Sequence, residues 1–253
     1  MDLSTAFDCV NHEILLRKLN HYGIRNKALQ LLTSYLTHRK QYVCISNQTS
    51  LPSILTHSVP QGSILGPQLF NIYINDIVNK PAKMKATLFA DDSCFYFSHT
   101  DPYELIDVVN IDLIEVNKWL ISNKLTLNIN KSHCILFNRQ LNVPPDLPLI
   151  KINNKNINIL SNTIFLGMIL QSNLKWNLHL DSIRNKLNKY SAIIYQIRHS
   201  LDNNSLKLIY NSLVYSCLNY GNIIWGKSPA PTPKTCNCCS KKIIRAIKPV
   251  LSY

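Results

Sequence analysis

The feature that most limits how this chain can fold is a pair of adjacent acids between two segments rich in strand-forming residues. These segments are residues 86–90 and 93–98, and Asp91-Asp92 joins them in the sequence Phe89-Ala90-Asp91-Asp92. The pattern predicts a tight β-hairpin with both acids at its turn. Adjacent carboxylates repel each other unless a cation neutralises them, so the turn is a candidate metal site. The alternative is an ordinary acidic turn, because aspartate is common in turns.

Two further segments bear on the same chemistry. Asp2 begins the sequence Asp-Leu-Ser-Thr-Ala-Phe-Asp, and Pro60–Pro67 forms a glycine-bearing turn before an apolar, helix-like stretch. Phosphoryl transfer to a hydroxyl group requires little more than two divalent cations held by a few carboxylates. Asp2 is far from Asp91 in sequence, so only a fold that pairs their strands brings them together.

The hydrophobic pattern predicts a mixed α+β region of about 170 residues followed by helices, with a boundary near residue 175. The predicted helices are 11–22, 28–36, 68–78, 102–123, 178–199 and one that Ser205 caps and that runs to about Asn219. The predicted strands are 41–46 and 53–59 around a turn at 47–50, then 86–90, 93–98, 133–137 and short runs within 151–170. A Pro-rich linker at 228–234 and a short basic helix are predicted at the end.

The positive charge is concentrated near one end of the sequence. The chain has a formal net charge of +13, and residues 171–253 contain 12 Lys and Arg against 2 Asp and Glu. Such a region indicates a polyanionic partner, most commonly nucleic acid. A solvated basic face that aids solubility is the alternative.

No apolar run reaches the roughly 18 residues of a membrane-spanning helix, and the start of the chain lacks the pattern of a secretory signal. We therefore expect an intracellular protein, in the nucleus or the cytoplasm, that is not secreted and has no membrane partner. The charged fraction of 16% is too low and too evenly mixed for a disordered chain.

The eight cysteines fall into two groups. Five lie singly in apolar surroundings and suit reduced core thiols: Cys9, Cys44, Cys94, Cys134 and Cys217. The others form a cluster of Cys236, Cys238 and Cys239. A structural zinc site normally needs four ligands in spaced pairs, and no nearby histidine completes a set here. We expect thiols at this cluster, with zinc as the alternative.

These motifs, in this order, resemble the reverse transcriptases of non-LTR retrotransposons of the Jockey-like or chicken-repeat-like kind. The resemblance covers about residues 1–226. The matching segments are 2–12, 58–67, 89–92, 125–132, 165–168 with 174–179, and 210–225. It implies an α+β fold: a polymerase palm, an antiparallel sheet with packed helices, followed by a mostly helical thumb. The implied domains are a palm at 1–175, a thumb at 176–226 and a basic extension at 227–253.

The resemblance also implies a role for each matching residue. Asp2, Asp91 and Asp92 are the implied ligands of two Mg²⁺ ions, for which Mn²⁺ is a possible substitute. Phe7 is the implied steric gate against a ribose 2′-hydroxyl, and its alternative is a core aromatic. The implied contacts with nucleotide and template are Gln61 and Gly62, whose alternative is a simple turn. Lys131 is the implied proton donor near the pyrophosphate, or else a solvated lysine. Arg184, Lys186, Lys189 and Arg198 on the long thumb helix are implied to follow the nucleic-acid backbone, or else form the polar face of a bundle helix.

The implied function is RNA-directed DNA polymerase, with an RNA template, a DNA primer and deoxynucleoside triphosphates as partners. The family has a fingers region before its first palm motif, and this sequence begins at that motif, so we expect the isolated fragment to be weak or inactive. A catalytically dead remnant that binds nucleic acid is the main alternative. A different two-metal enzyme, such as a nuclease, is the third, although no further acidic or histidine cluster supports it.

Overall fold

The computed structural model describes residues 1–138, 144 and 146–226. The predicted basic extension, with its Pro-rich linker, short helix and cysteine cluster, lies outside these residues. The helices are α1 His12–His21, α2 Asn26–Leu36, α3 Leu65–Ile74, α4 Pro102–Ser122, α5 Asn177–Ile197, α6 Asn203–Ile209, α7 Ser216–Asn219 and α8 Asn222–Trp225. A 3₁₀ helix at Asn75–Asn79 follows α3, and a π-helical segment at Tyr210–Tyr215 follows α6.

The strands are short and form five separate small sheets within the described residues. They are β1 Lys40–Gln41, β2 Cys44–Ile45, β3 Gln48–Thr49, β4 Ser53–Ile54, β5 Lys85–Phe89, β6 Asp92–Tyr96, β7 His133–Cys134, β8 Ile150–Ile152, β9 Lys155–Ile159, β10 Asn162–Phe165 and β11 Met168–Gln171. The pairs β1–β4, β2–β3, β5–β6, β8–β9 and β10–β11 are antiparallel, and β7–β9 is parallel. The mixed α+β class is therefore confirmed. The single antiparallel sheet that the resemblance implied is not formed among the described strands.

The described residues divide into two compact units. The first contains Met1–Cys134 with residues 144 and 146–159, and the second contains 135–138 and 160–226. Among the described residues, no helix is both long and apolar enough to cross a membrane. The five single cysteines are thiols, as predicted, but Cys44 is exposed and the other four are only half-buried, so the expected core position was wrong for Cys44.

The core of the first unit forms where α1, α3 and α4 bury their apolar faces. Tyr73 of α3 is fully buried, and its hydroxyl donates a hydrogen bond to the Asn123 carbonyl just after α4 (2.6 Å). Burial raises the pKa of Tyr73 to about 12. Lys18 of α1 pairs with Asp76 (2.6 Å), and the Trp119 indole donates to the same carboxylate (3.0 Å). These polar contacts link α1 and α4 to the 3₁₀ helix after α3. They also give each of these polar groups a hydrogen-bond partner, which a buried polar group needs.

A buried aspartate in α4 fixes the entry to β5. Asp112 is 2% exposed and accepts hydrogen bonds from the backbone N–H groups of Ala82, Lys83 and Met84 (3.0, 2.8 and 2.7 Å). Burial alone would raise the pKa of the carboxyl, but the three hydrogen bonds hold it below its usual value. The segment before Lys85 is thus fastened to α4, which sets where the β5–β6 hairpin begins.

The second unit packs the β10–β11 hairpin and α5 around its own core. Its buried members on α5 are Leu180, Ile183, Leu187 and Ile194. His179 is also buried, and its Nδ1 accepts a hydrogen bond from the backbone N–H of Ile169 on β11 (3.3 Å). Burial and the nearby Lys186 lower the pKa of His179, so its ring is neutral at pH 7.

Three local predictions were wrong. The segment 41–59 forms two short antiparallel ladders, and Gln48 and Thr49 belong to a strand, because the tight turn is at Ser46-Asn47. Helix α6 begins after Asp202, whose carboxylate accepts from the Asn204 N–H (3.2 Å), so Ser205 does not cap it. The predicted strand 133–137 is only two residues long.

Candidate active site

The predicted acidic hairpin is present, but its turn lies one residue earlier than the sequence indicated, so Asp92 belongs to β6. Strands β5 and β6 pair over five residues, and the pair Phe89–Asp92 leaves Ala90 and Asp91 as the loop. Ala90 has a φ of 52°, a left-handed conformation that is strained for a residue other than glycine. Asp91 is half-buried and Asp92 is exposed, so both carboxylates can be reached from solvent.

Asp2 is fixed next to this hairpin by backbone hydrogen bonds on both of its sides. On one side, Met1 and Ser93 exchange hydrogen bonds: the Met1 amine donates to the Ser93 carbonyl (2.6 Å), and the Ser93 N–H donates to the Met1 carbonyl (3.2 Å). A reciprocal pair of this kind is the antiparallel pattern. The register therefore puts Asp2 directly across from Asp92, one residue from Asp91.

On the other side, Asp2 contacts the segment after α4. Its N–H donates to the Ser132 hydroxyl (3.0 Å), and its carbonyl accepts from the Asn128 N–H (2.9 Å). Leu3 forms an antiparallel bridge with Leu127. The first residues thus lie as a short strand between β6 and residues 126–128, and the sequence alone did not predict this placement.

Lys131 lies on the turn that holds Asp2. The turn closes through hydrogen bonds from the N–H groups of Lys131 and Ser132 to the Asn128 carbonyl (3.2 and 2.9 Å). Ser132 is buried, whereas the Lys131 side chain is exposed. The structure therefore brings Lys131 into the neighbourhood of Asp2 through the backbone, without fixing its ammonium group.

The glycine-bearing turn is joined to the segment after Asp2. The Val59 N–H donates to the Phe7 carbonyl (3.0 Å), and the Gln61 side-chain amide donates to Asp8 (2.9 Å). The Phe7 ring is half-buried against Phe70, with ring centroids 4.8 Å apart. Phe7 is thus partly a core aromatic, and Gln61 is tied to the first motif.

Two glycines shape this turn in different ways. Gly62 has a φ of 80° with open space around it, so its conformation requires glycine. Gly66 is buried, and a Cβ there would lie 2.7 Å from the Pro60 carbonyl oxygen. Sequence reasoning missed the role of Gly66 in packing, and also missed Ser132 and Asp112, because hydrogen bonding across distant segments leaves no local pattern.

The four basic residues assigned to α5 do not lie on one side of it. Lys186 and Lys189 are three residues apart and share an exposed face, whereas Arg184 is two residues from Lys186 and points elsewhere. Arg198 follows the last residue of α5, and its guanidinium lies over the Tyr195 ring (3.9 Å to the centroid). The structure therefore joins only Lys186 and Lys189 into one patch.

The three acids suit a hard divalent cation by chemistry. Carboxylate oxygens are the ligands that Mg²⁺ prefers, and in the part of the chain that the structure describes Asp2, Asp91 and Asp92 have no side-chain hydrogen bond or ion pair. Within the same residues, no group of three or more potential ligands is close enough to hold an ion. The backbone thus brings Asp2, Asp91 and Asp92 to neighbouring positions, but their side chains do not converge as they would around a bound metal ion.

Comparison with known proteins identifies the family of this chain. The family model described as "Reverse transcriptase (RNA-dependent DNA polymerase)" matches residues 1–170. The chain belongs to the reverse transcriptase family. This confirms the resemblance of the sequence motifs, and the mixed α+β structure is consistent with such a domain.

The individual relatives that the chain resembles are proteins of mobile elements. It is 26% identical over 254 residues to the "Probable RNA-directed DNA polymerase from transposon X-element" of Drosophila melanogaster, over 98% of this chain and 28% of that protein. It is 26% identical to the "RNA-directed DNA polymerase from mobile element jockey" of Drosophila funebris, over 89% of this chain and 25% of that protein. These relatives support a Jockey-like, non-LTR reverse transcriptase. The chain spans only about a quarter of their length.

Proposed function

We propose that this reverse transcriptase chain is the palm and thumb part of a retrotransposon RNA-directed DNA polymerase, which extends a DNA primer along an RNA template. The observation that carries the proposal is the register that puts Asp2 across from Asp92, next to Asp91. Carboxylates on neighbouring strands are what a nucleotidyl-transfer site requires. In this proposal the palm is 1–175, the thumb 176–226 and the basic extension 227–253.

The three acids would be the metal ligands. Asp2, Asp91 and Asp92 would hold two Mg²⁺ ions, or Mn²⁺ as a substitute, which when bound would supply charge neutralisation at the phosphates and an activated primer hydroxyl. The turn at Asn128–Ser132 holds Asp2 in register for this task. On the same turn, Lys131 would supply a proton near the leaving pyrophosphate.

The remaining assigned residues would bind the substrates. Phe7, packed against Phe70, would present a rigid ring edge where the sugar of the incoming deoxynucleotide lies. Gln61, tied to Asp8, and Gly62 would contact the nucleotide and the template strand. The basic residues of the thumb would bind backbone phosphates without reading sequence: Arg184, Lys186, Lys189 and Arg198. Such a protein would act inside the cell, in the nucleus or the cytoplasm.

The test is primer extension on an RNA template with Mg²⁺ or Mn²⁺, with the parent chain and Asp91→Asn. We expect the substitution to reduce extension by at least about 100-fold, the loss typical when one charge-stabilising group is removed from an active site. Asp107→Asn is the matched control, because Asp107 is an exposed acid on α4 away from the hairpin. Measurable extension by the parent at a rate that Asp91→Asn matches would refute the assignment.

The second candidate is a remnant that binds nucleic acid without catalysis. The observation that favours it is that the described residues do not gather three metal-ligating side chains. This candidate predicts duplex binding that weakens steeply with salt and needs no Mg²⁺. Binding by the parent without any extension would select the remnant, and Mg²⁺-dependent extension would exclude it.

A further inference from the structure

A basic cluster lies in the first unit, outside the residues assigned to catalysis. It forms where the base of the β1–β4 ladder meets the start of α1. The Leu55 N–H donates to the Arg39 carbonyl (2.9 Å), and the His12 N–H donates to the Thr56 carbonyl (3.4 Å). An antiparallel bridge joins Asn11 to His57. These backbone contacts bring the side chains of Arg39, His12 and His57 to one place.

Both histidines form hydrogen bonds with uncharged groups. His12 donates its Nε2–H to the Ser58 carbonyl (2.7 Å), and the bond fixes that tautomer because a carbonyl only accepts. His57 accepts from the Asn11 amide at Nε2 (3.1 Å), which leaves its Nδ1–H to donate to the Thr56 hydroxyl (2.8 Å). Burial, with Arg39 and His57 nearby, lowers the pKa of His12. An imidazole ring is neutral or positive, so neither histidine can neutralise the positive charge of Arg39.

Arg39 has a charge that the protein does not balance. Its Nη1 is buried and has no hydrogen-bond partner, and within the described residues the guanidinium has no ion pair. A guanidinium always carries its charge, and a buried N–H donor without a partner is costly. The side chain as a whole is half-exposed, so an anion can approach from solvent.

The surrounding sequence favours a polyanion over an acidic segment of this unit. Between Glu13 and Asp76 the sequence has six Lys and Arg residues and no Asp or Glu. The cluster also lies only a few residues before Gln61 in the chain, because His57-Ser58-Val59 leads directly into the glycine-bearing turn. The cluster and the proposed nucleotide and template contacts are thus joined by one short stretch of chain, residues 57–62.

We propose that Arg39, beside His12 and His57, binds a phosphodiester group of the template–primer backbone. The inference rests on the proposed polymerase or remnant function, since both require a bound nucleic acid. Arg39 would be a binding residue and not a catalytic one. Its planar fork suits two phosphate oxygens at once, which a lysine cannot reproduce.

The experiment measures the binding of an RNA–DNA duplex and, separately, of a deoxynucleoside triphosphate. It compares the parent with Arg39→Gln, Arg39→Lys and Lys27→Gln. Lys27 is an exposed cation of α2 in the same acid-free stretch, and it controls for net charge. We expect Arg39→Gln to weaken duplex binding about 10-fold and to reduce the slope of log affinity against log salt by about one. Arg39→Lys should recover part of the affinity, and Lys27→Gln should change it less than twofold.

A second measurement tests the site without any duplex. Inorganic phosphate should raise the unfolding temperature of the parent above its value in chloride at equal ionic strength, and this rise should be lost in Arg39→Gln. Circular dichroism checks that the variant folds. Equal phosphate response in the parent and Arg39→Gln overturns the proposal, whether or not the chain extends primers. Weakened nucleotide binding with unchanged duplex binding overturns it as well.

Discussion

The two units hold their proposed functional residues in different ways. In the first unit, Asp2 is held by the hydrogen bond from its N–H to the Ser132 hydroxyl, 130 residues away, and by the bonds of the adjacent Met1 to Ser93, 92 residues away. In the second unit, Lys186 and Lys189 project from the outside of α5, above a core they do not enter. Catalysis requires fixed geometry, whereas phosphate binding requires only charge at the right distance. Substitutions that disturb the anchor of Asp2 should therefore change stability and rate, and those on the exposed face of α5 only affinity.

The largest effect on stability is expected at Asp112. Asp112→Asn replaces one acceptor of the three N–H hydrogen bonds by an NH₂ group, and we expect a loss of about 3 kcal/mol in the free energy of unfolding. Urea denaturation measures it. Asp107→Asn, an exposed acid on the same helix, should change it by less than about 0.5 kcal/mol. Equal stability of the two variants would remove the argument that α4 fixes the hairpin.

The pH dependence of the free energy of unfolding should also report on the hydrogen-bonded carboxylate of Asp112. The pKa of Asp112 is lowered in the folded state, so its contribution is complete above the unfolded value of about 3.9. The contribution is lost as pH falls through 3.9 and then through the folded pKa. Unfolding measured from neutral to acid pH should therefore show a steeper decline for the parent than for Asp112→Asn. Parallel curves would contradict the hydrogen-bonded carboxylate.

Ser132→Ala tests the anchoring of Asp2. The substitution leaves the Asp2 N–H without its acceptor, and we expect about 1 kcal/mol less stability and about 10-fold slower primer extension. Duplex affinity should stay within twofold, because no phosphate contact is changed. Ser122→Ala, an exposed serine at the end of α4, is the control. Lower duplex affinity with normal extension would reverse the assignment of this turn.

Substitutions at the exposed Lys186–Lys189 patch of α5 should change affinity and leave stability unchanged. The double substitution of Lys186 and Lys189 by Gln should lower duplex affinity severalfold and flatten its salt dependence, with no change in the free energy of unfolding. Arg184→Gln provides the comparison from another side of the helix. If Arg184→Gln weakens binding more than the double variant does, the contact face is not the Lys186–Lys189 patch.

The smallest effect is expected at the turn of the hairpin. Ala90 has a positive φ, so Ala90→Gly should relieve strain and raise stability by about 0.5 kcal/mol after the entropic cost of glycine. Thermal unfolding measures the gain. Extension should fall slightly, because a freer turn holds Asp91 less firmly. A loss of stability would show that Ala90 is not strained.

Elements with a strong local pattern could be predicted from the sequence. The β5–β6 hairpin and α4 were predicted to within a residue or two, because alternation and helical periodicity state which side of each element is buried. The ladders within 41–59 were predicted less well. Their residues are polar or fully exposed, so no buried face fixed the register.

The sequence by itself determined the family, the mixed α+β class and the residue types of the candidate site, since these follow from motifs and short-range patterns. Only the tertiary structure decided that Asp2 lies across from Asp92, that Ser132 and Asn128 hold it there, and that Arg39 stands without an anion beside His12. The physical reason is that these contacts are hydrogen bonds and charges between segments far apart in the chain. Such pairings leave no periodic trace in either segment and exist only once the chain has folded.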